Sequence, residues 1–266
     1  QISSISGGTD IISCFALSTP MLPVIRGEIQ SIGLGMDVKI FSHDGTESTK
    51  GEKGELVCCK AFPSMPLYFF NDSNKEKYKD AYFNKFPGVW AHGDYACRTK
   101  DDGLVIFGRS DATLNSGGVR IGTAEVENAL ARNVFVTEAA VVGIPSEIKG
   151  QELFAFCSLR EDIQFLKEKA ELKSSKYTPE QLIVRDLMDT CAKEIGSFAK
   201  PTGGILLLQP GTGIPKTRSG KLVRRVLRKI AKGDLTGDFG DLSAVANPES
   251  IQCIIQAKKK ANEAEN

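Results

Sequence analysis

Hydrophobic and polar positions in the first 110 residues alternate over short runs that are separated by turn residues. The turns at residues 43–45 and 101–103 both place Asp-Gly between two such runs, which predicts antiparallel hairpins. Residues 73–83 have the spacing of a short helix, and a glycine pair predicts a flexible loop over residues 3–10. Residues 20–109 are therefore predicted to form a small antiparallel β subdomain.

Beyond residue 111 the pattern changes to helices that alternate with strands. Thr123, Thr178 and Asn247 each precede a helical run and are predicted N-terminal caps, and Pro179 suits a first helical turn. The polar tail after Lys258 is predicted to be frayed. Strand-like runs occupy residues 136–144, 153–159 and 204–209. The order α-β-β-α-β-α predicts a compact α+β domain.

The segment 213–221 stands out because a strongly basic stretch of the chain begins within it. Residues 216–232 contain eight Lys or Arg and no Asp or Glu. Glycines and Pro215 predict a loop, and an apolar stripe predicts that a helix begins at Lys221. The loop is not a phosphate-binding P-loop, because Pro215 replaces the first glycine and Leu222 replaces the Ser or Thr. Composition alone favours a solvated helix face, with binding of nucleic acid or of an acidic coenzyme as alternatives.

Composition narrows the classes of protein that the chain can represent. A net charge of +1 argues against a dedicated nucleic-acid binder, and no apolar run approaches the roughly 20 residues that a membrane span needs. We therefore expect neither nucleic acid nor membrane as a partner. Seven cysteines without CxxC spacing predict reduced thiols and a cytoplasmic location. Two histidines exclude a histidine-rich metal site, and a start at Gln1 instead of Met suggests part of a longer protein.

Five motifs follow one another along the chain. They are SGGTD (6–10), GELV (54–57), HGDYA (92–96), GRSDATLNSGGVRIGTAEVE (108–127) and PKTRSGK (215–221). In order and spacing they resemble the motifs of the adenylate-forming (ANL superfamily) acyl-CoA synthetases. The first half is most similar to acetoacetyl-CoA synthetases, through SGGTDIISCF and YFNKFPGVWAHGDY. The second half is more similar to acetyl- and propionyl-CoA synthetases, through VVGIPSEIKGQ and PKTRSGKLVRRVLRKIA.

The resemblance implies a domain organisation and a reaction. Residues 1–110 would end the AMP-binding N-terminal domain, and residues 111–266 would form a mobile C-terminal domain that turns about a hinge at Asp111. A carboxylate and Mg-ATP would give an acyl-adenylate and pyrophosphate, after which coenzyme A would give a thioester and AMP. The acid would be acetoacetate or a similar short acid, with acetate or propionate as the alternative. The triphosphate loop of the family is not in this sequence, so we expect these residues alone to be inactive.

The resemblance also implies a role for each matching residue. Lys221 would stabilise charge on the carboxylate and α-phosphate oxygens during adenylation. Asp94 would accept hydrogen bonds from both ribose hydroxyls, helped by Arg109, although Asp94 taken alone could be a simple turn residue. The other matching positions are Gly8, Thr9 and Arg120 for the nucleotide, Asp10 for Mg²⁺, and Gly117, Gly118 and Lys193 for coenzyme A.

Two departures from the family pattern bear on the substrates. Acetate-using relatives carry a Trp at the position of Gly7 that closes the acyl pocket, so Gly7 implies room for a longer acid. Lys193 follows Ala192, where acetyl-type relatives have an Arg that helps to bind coenzyme A, and Lys193 is the expected substitute.

Acylation of Lys221 would remove its charge and switch activity off. A non-catalytic protein that binds nucleotide or nucleic acid through residues 216–232 is the alternative from another class.

Overall fold

The computed structural model describes residues 2–116, 119–148, 150–162 and 177–265. The chain divides after Asp111 into two units, Gln1–Asp111 and Ala112–Asn266. The division falls at the residue for which the hinge is predicted. Strands dominate the first unit and the second unit combines a sheet with helices, so the predicted α+β class is confirmed.

Two antiparallel sheets build the first unit. A three-stranded sheet contains β1 (Ser6–Gly8), β2 (Ser13–Leu17) and β3 (Ser31–Ile32). A four-stranded meander contains β4 (Val38–Phe41), β5 (Lys53–Cys58), β6 (Trp90–Arg98) and β7 (Leu104–Arg109), and helix α1 (Glu76–Tyr82) precedes β6. The predicted antiparallel subdomain is therefore confirmed. The predicted loop over residues 3–10 is wrong in part, because β1 pairs with β2 there.

The second unit is a mixed five-stranded sheet with helices. Its elements are β8 (Leu114–Ser116), β9 (Val119–Ile121), α2 (Thr123–Ala131), β10 (Val136–Ser146), β11 (Gly150–Leu159), α3 (Pro179–Glu194), β12 (Gly204–Leu208), α4 (Arg224–Ala231) and α5 (Glu249–Glu265). Strand β11 pairs antiparallel with β10 and parallel with β12. None of the helices in the described part of the chain combines the length and the apolar composition that a membrane crossing requires.

The alternation of side chains along β10 and β11 explains the layers of the second unit. Successive side chains of a strand point to opposite faces of its sheet. Val141 and Ala155 pack on one face with Val126 of α2. On the other face, Val142 and Phe156 pack with residues of α4 and α5. The sheet is therefore covered by helices on both sides.

The helix caps show which local signals could be read from the sequence. Thr178 forms a complete capping box, in which Gln181 N donates to Thr178 Oγ1 at 3.3 Å and Thr178 N donates to Gln181 Oε1 at 3.0 Å. The predicted cap at Thr123 is wrong, because Gly122 is the cap and Thr123 is the first helical residue. Its hydroxyl is buried and has no hydrogen-bond partner within the described ranges.

Two further boundary predictions are wrong. Helix α4 begins at Arg224 instead of Lys221, because Val223 N donates to the carbonyl of Pro215 at 2.9 Å and keeps the preceding residues in a loop. The tail after Lys258 is not frayed but belongs to α5, which continues to Glu265. Three isoleucines anchor the first part of this helix in the core (Ile251, Ile254 and Ile255).

One ion pair inside the second unit leads to a stability prediction. Arg224 Nη2 lies 2.9 Å from Glu127 Oε2, and Val141 N donates to the other oxygen of Glu127 at 2.8 Å. The side chains of Glu127 and Arg224 are 12% and 23% exposed. Burial raises the pKa of Glu127, and Arg224 partly opposes this shift.

Replacing Arg224 with Ala is therefore expected to lower the free energy of unfolding by about 3 kcal/mol at neutral pH, because it leaves a buried carboxylate without its cation. A carboxyl group whose folded-state pKa is raised destabilises the fold as pH rises through that pKa. The loss of stability caused by Arg224→Ala should therefore shrink in mild acid, where Glu127 becomes protonated. Denaturant unfolding at neutral pH and in mild acid measures this loss of stability. Lys39→Ala, which removes an exposed ion pair with Glu47, is the control and should cost about 0–1 kcal/mol. A loss that is the same at both pH values would contradict the prediction.

Candidate functional site

Asp94 and Arg109 lie directly opposite each other on β6 and β7. Arg109 Nη1 lies 3.5 Å from Asp94 Oδ1 and donates to the carbonyl of His92 at 3.0 Å. The Asp94 side chain is 14% exposed, whereas that of Arg109 is 56% exposed. The structure thus brings together the two residues that the sequence predicts for one site. A carboxylate beside a guanidinium presents the acceptors and donors that a sugar diol requires.

Glu55 fixes the backbone immediately before Asp94. Its Oε1 atom accepts a hydrogen bond from Gly93 N at 2.7 Å, and its Oε2 atom pairs with Lys85 Nζ at 2.5 Å. Gly93 has φ +83°, and a Cβ atom there would lie 2.4 Å from Arg109 Nη2. The sequence reasoning assigned no role to Glu55. Its position in the GELV motif on a strand that is otherwise buried was the available signal, since a buried carboxylate must be paired.

The turn between β1 and β2 carries Thr9 and Asp10, which are both exposed. Ile12 N donates to the carbonyl of Thr9 at 3.2 Å and closes this turn. Asp10 Oδ2 accepts a hydrogen bond from the hydroxyl of Tyr82, whose ring stacks on Trp90 with 3.6 Å between ring centroids. Burial and the hydrogen bond to Asp10 raise the pKa of Tyr82, so its hydroxyl remains a donor. The stacked rings therefore orient the Asp10 carboxylate.

Two contacts join β1, the strand before this turn, to the strand that carries Asp94. Ser6 Oγ donates to Asp94 Oδ2 at 3.2 Å, and His92 Nε2 lies 3.1 Å from the carbonyl oxygen of Gly7. Gly8 is next in the chain, and a Cβ atom there would lie 3.0 Å from His92 Cε1. Strand β1, which contains Gly8 and leads into Thr9 and Asp10, is therefore packed against the strand that carries Asp94. The sequence reasoning assigned no role to Ser6 or His92.

Lys221 lies on a small hairpin in the second unit. Residues 216 and 222 form an antiparallel bridge, Thr217 N donates to the carbonyl of Lys221 at 2.8 Å, and Lys221 N donates to Thr217 Oγ1 at 3.1 Å. Gly220 has φ +81° at the tip of this hairpin, where a residue with a side chain would be strained. The hairpin holds the main chain of Lys221, and its side chain is exposed.

Asn247 anchors the base of this hairpin instead of capping α5 with its side chain as predicted. Its Oδ1 atom accepts a hydrogen bond from Lys216 N at 2.9 Å, and its Nδ2 atom donates to the carbonyl of Ile214 at 3.0 Å. Ala246 N also donates to the carbonyl of Lys216 at 2.8 Å. The segment before α5 therefore fixes the position of the hairpin within the second unit.

Much of the basic charge in residues 216–232 is engaged within the second unit. Arg224 pairs with Glu127, and Arg225 donates to the carbonyls of Phe239 and Asp241. Lys216 pairs with Glu138, and Lys229 donates to the carbonyl of Asp238. These contacts favour the interpretation of helix α4 as an ordinary surface helix with a buried apolar face.

Comparison with known proteins decides the family. Residues 125–221 match the family described as AMP-binding enzyme C-terminal domain. Acetoacetyl-coenzyme A synthetase of Rhizobium meliloti is 41% identical to this chain over 94% of the chain and 35% of its own length. The Gallus gallus acetoacetyl-CoA synthetase is 39% identical over 94% of the chain and 34% of its own length. The chain belongs to the adenylate-forming superfamily.

The solved structures agree with this family assignment. The acetoacetyl-CoA synthetase from Streptomyces lividans has a TM-score of 0.75 and 31% identity, and the match covers 97% of this chain and 36% of that protein. The chain thus spans about a third of the length of the relatives that it matches. Adenylate-forming enzymes of this type use ATP and coenzyme A.

The remaining family positions lie in the second unit. Arg120 is exposed on β9, opposite Asn115 of β8, and Lys193 is exposed in the last turn of α3. Gly117 and Gly118 lie outside the described residues. For these residues, and for Asp111 as a hinge, the functional roles stay predictions.

Asp10 is the candidate ligand for the Mg²⁺ that accompanies ATP. The described residues contain no group of three or more His, Cys, Asp or Glu side chains that could hold a metal ion. Mg²⁺ in ATP-using enzymes is usually held by one or two carboxylates together with phosphates of the substrate. The exposed carboxylate of Asp10, oriented by Tyr82, fits this arrangement.

The close packing of β1 against β2 requires a glycine at position 7. The same residue is the one predicted for the acyl pocket. A Cβ atom there would lie 2.2 Å from Ser13 O and 2.8 Å from Cys14 Cα, where the register of β1 against β2 shifts. A Trp at this position would therefore displace the backbone of β2. The acyl-pocket role stays a prediction.

Gly7→Ala is accordingly expected to lower the free energy of unfolding of the protein by about 1–3 kcal/mol, the typical cost of overpacking. Gly8→Ala is the matched control with a smaller loss, because its nearest neighbour is a carbon of the His92 side chain instead of backbone. Denaturant unfolding of both variants measures the difference. Equal stability of Gly7→Ala and the unsubstituted protein would contradict the expectation.

Proposed function

We propose that this chain is the nucleotide- and coenzyme-handling part of an acid-thiol ligase that joins acetoacetate, or a similar short acid, to coenzyme A. The observation that carries the proposal is a continuous similarity to acetoacetyl-CoA synthetases, which spans both units and reaches 94% of the chain. The pairing of Asp94 with Arg109 supports it, because the family resemblance implies that these two residues bind the ribose together.

In the first half-reaction, the acid carboxylate attacks the α-phosphorus of ATP, and pyrophosphate leaves. Asp94 accepts hydrogen bonds from the ribose hydroxyls, and Arg109 donates to the same sugar. Gly8 and Thr9 contact the α-phosphate, and Asp10 helps to hold Mg²⁺, which neutralises phosphate charge when bound. Lys221 brings its ammonium group to the carboxylate and α-phosphate oxygens and stabilises the charge that develops there.

In the second half-reaction, the thiol of coenzyme A attacks the acyl carbon of the adenylate, and AMP leaves as the thioester forms. We propose that the second unit turns about Asp111 between the two steps. This rotation would bring Arg120 towards the nucleotide phosphate and Gly117 and Gly118 towards the pantetheine arm. Lys193 carries an exposed cation that suits the phosphates of coenzyme A.

The choice of acid is tested with the complete protein and a panel of acetoacetate, acetate, propionate and butyrate. We expect thioester formation, followed by mass spectrometry, to have its highest kcat/KM with acetoacetate. A preference for acetate or propionate would keep the ligase class and overturn the proposed substrate.

We further propose that acylation of Lys221 switches the enzyme off. An exposed lysine on a hairpin is accessible to a modifying enzyme, and acylation would remove the charge used in adenylation. A cytoplasmic location is also proposed, and the seven free cysteines support it.

A further inference from the structure

His92 is a polar side chain of the candidate site that the proposed reaction does not use. It is buried, at 7% exposure. The ring of Phe15 meets it edge to face with 4.8 Å between ring centroids. Gly8 packs so closely that a Cβ atom there would lie 3.0 Å from His92 Cε1. The imidazole is thus held in one orientation by residues of β1 and β2.

The hydrogen bonding of His92 defines its protonation. Gly7 O can only accept, so the Nε2 atom that lies 3.1 Å from it carries the proton of this contact. The Nδ1 atom is buried and has no hydrogen-bond partner within the part of the chain that the structure describes. A neutral imidazole protonated on Nε2 satisfies this arrangement, since an added proton on Nδ1 would lack an acceptor.

His92 also lies against the proposed ribose carboxylate. Its Nε2 atom lies 3.7 Å from Asp94 Oδ2, the same oxygen that accepts a hydrogen bond from Ser6 Oγ. The imidazole therefore contacts both parts of the proposed nucleotide site. It contacts residues 7–10, the proposed phosphate turn, through Gly7, and it lies against the proposed ribose carboxylate of Asp94. The two parts of the nucleotide site are carried by different sheets, and His92 spans the gap between them.

We propose that His92 is a positioning residue that sets the distance between the phosphate turn at residues 7–10 and the ribose carboxylate of Asp94. The inference rests on the proposed function, because it assigns the two ends of the site to the phosphate and the sugar of one nucleotide. Its consequence is specific: loss of the Nε2 donor weakens recognition of the phosphate relative to that of the nucleoside.

The test compares two variants that differ in where they place a donor. His92→Gln keeps an N–H near the position of Nε2, whereas His92→Asn is too short to reach Gly7 O. Calorimetric titration of the complete protein with AMP and with adenosine, without Mg²⁺, gives the ratio of the two affinities. We expect His92→Asn to lower the AMP-to-adenosine ratio about tenfold and His92→Gln to change it by about twofold or less. A general structural loss would lower both affinities together and leave the ratio unchanged.

Further outcomes separate this inference from the proposed function. Asp94→Asn should weaken AMP and adenosine alike. If the unsubstituted protein binds neither ligand, the proposed function fails. If it binds both and Asp94→Asn behaves as expected while His92→Asn keeps the normal ratio, only the positioning role is overturned.

A pH series with the unsubstituted protein and His92→Gln keeps the proposal testable if His92→Asn does not fold. Burial lowers the pKa of His92, and among its charged neighbours Asp94 and Glu55 oppose this shift while Arg109 adds to it. An imidazolium formed in acid would pair with Asp94 and compete with the ribose. We expect adenosine affinity to fall in acid more steeply for the unsubstituted protein than for His92→Gln. Identical pH profiles would overturn the proposal.

Discussion

Lys221→Ala is expected to lower the rate of acyl-adenylate formation by about 10²- to 10³-fold, the usual effect of removing a group that stabilises developing charge. The hairpin should survive this change, because Thr217 contacts only the main-chain N and O atoms of Lys221. Thioester formation from a supplied acyl-adenylate should stay close to normal, since the second half-reaction does not use this ammonium group in the proposed mechanism.

The matched control for Lys221 is Arg218→Ala. Arg218 is an exposed cation on the same hairpin, three positions earlier, so its removal changes the net charge of the loop by the same amount. We expect adenylation by this variant to remain within about threefold of normal. An equal loss of both half-reactions in Lys221→Ala, or an equal effect of the two substitutions on adenylation, would refute the assigned role.

Asp94→Asn is expected to raise the KM for ATP by about 10- to 100-fold, because hydrogen bonds to a charged acceptor contribute about 1.5–3 kcal/mol. The amide keeps the size of the side chain but replaces one acceptor oxygen with a donor. It also weakens the contacts with Ser6 Oγ and Arg109 Nη1. The kcat with saturating ATP should change less than the KM.

A ribose analogue ties this effect to the proposed contact. The unsubstituted protein should prefer ATP strongly over 2′,3′-dideoxy-ATP, and Asp94→Asn should lose most of that preference, as in a double-mutant cycle. Asp101→Asn, at the exposed turn of the same β6–β7 hairpin, is the control and should behave normally. If Asp94→Asn keeps the full preference for ATP, the ribose hydroxyls do not bind there.

The sequence was informative where one short signal determines one local geometry. The Thr178 box, the Asp-Gly hairpin turns and the strand-like runs that became β10 and β11 all depend on neighbours along the chain. The pairing of Asp94 with Arg109 could also be predicted, because both residues flank one hairpin and its register places them opposite each other.

The signals that failed depend on contacts distant in sequence. Asn247 looked like a cap but binds the main chain around Lys216, more than 30 positions earlier. Helix α4 begins late because Pro215 accepts a hydrogen bond that holds Val223 outside the helix. The contacts of Ser6 and His92 span more than 80 positions and join two sheets. No local pattern specifies such contacts.

The most direct test of the central claim is release of pyrophosphate from ATP by the complete protein, with and without acetoacetate. The proposed function predicts release that requires the acid, that is faster with acetoacetate than with acetate or propionate, and that is lost in Lys221→Ala. ATP binding without acid-dependent release of pyrophosphate, for every acid in the panel, would contradict it.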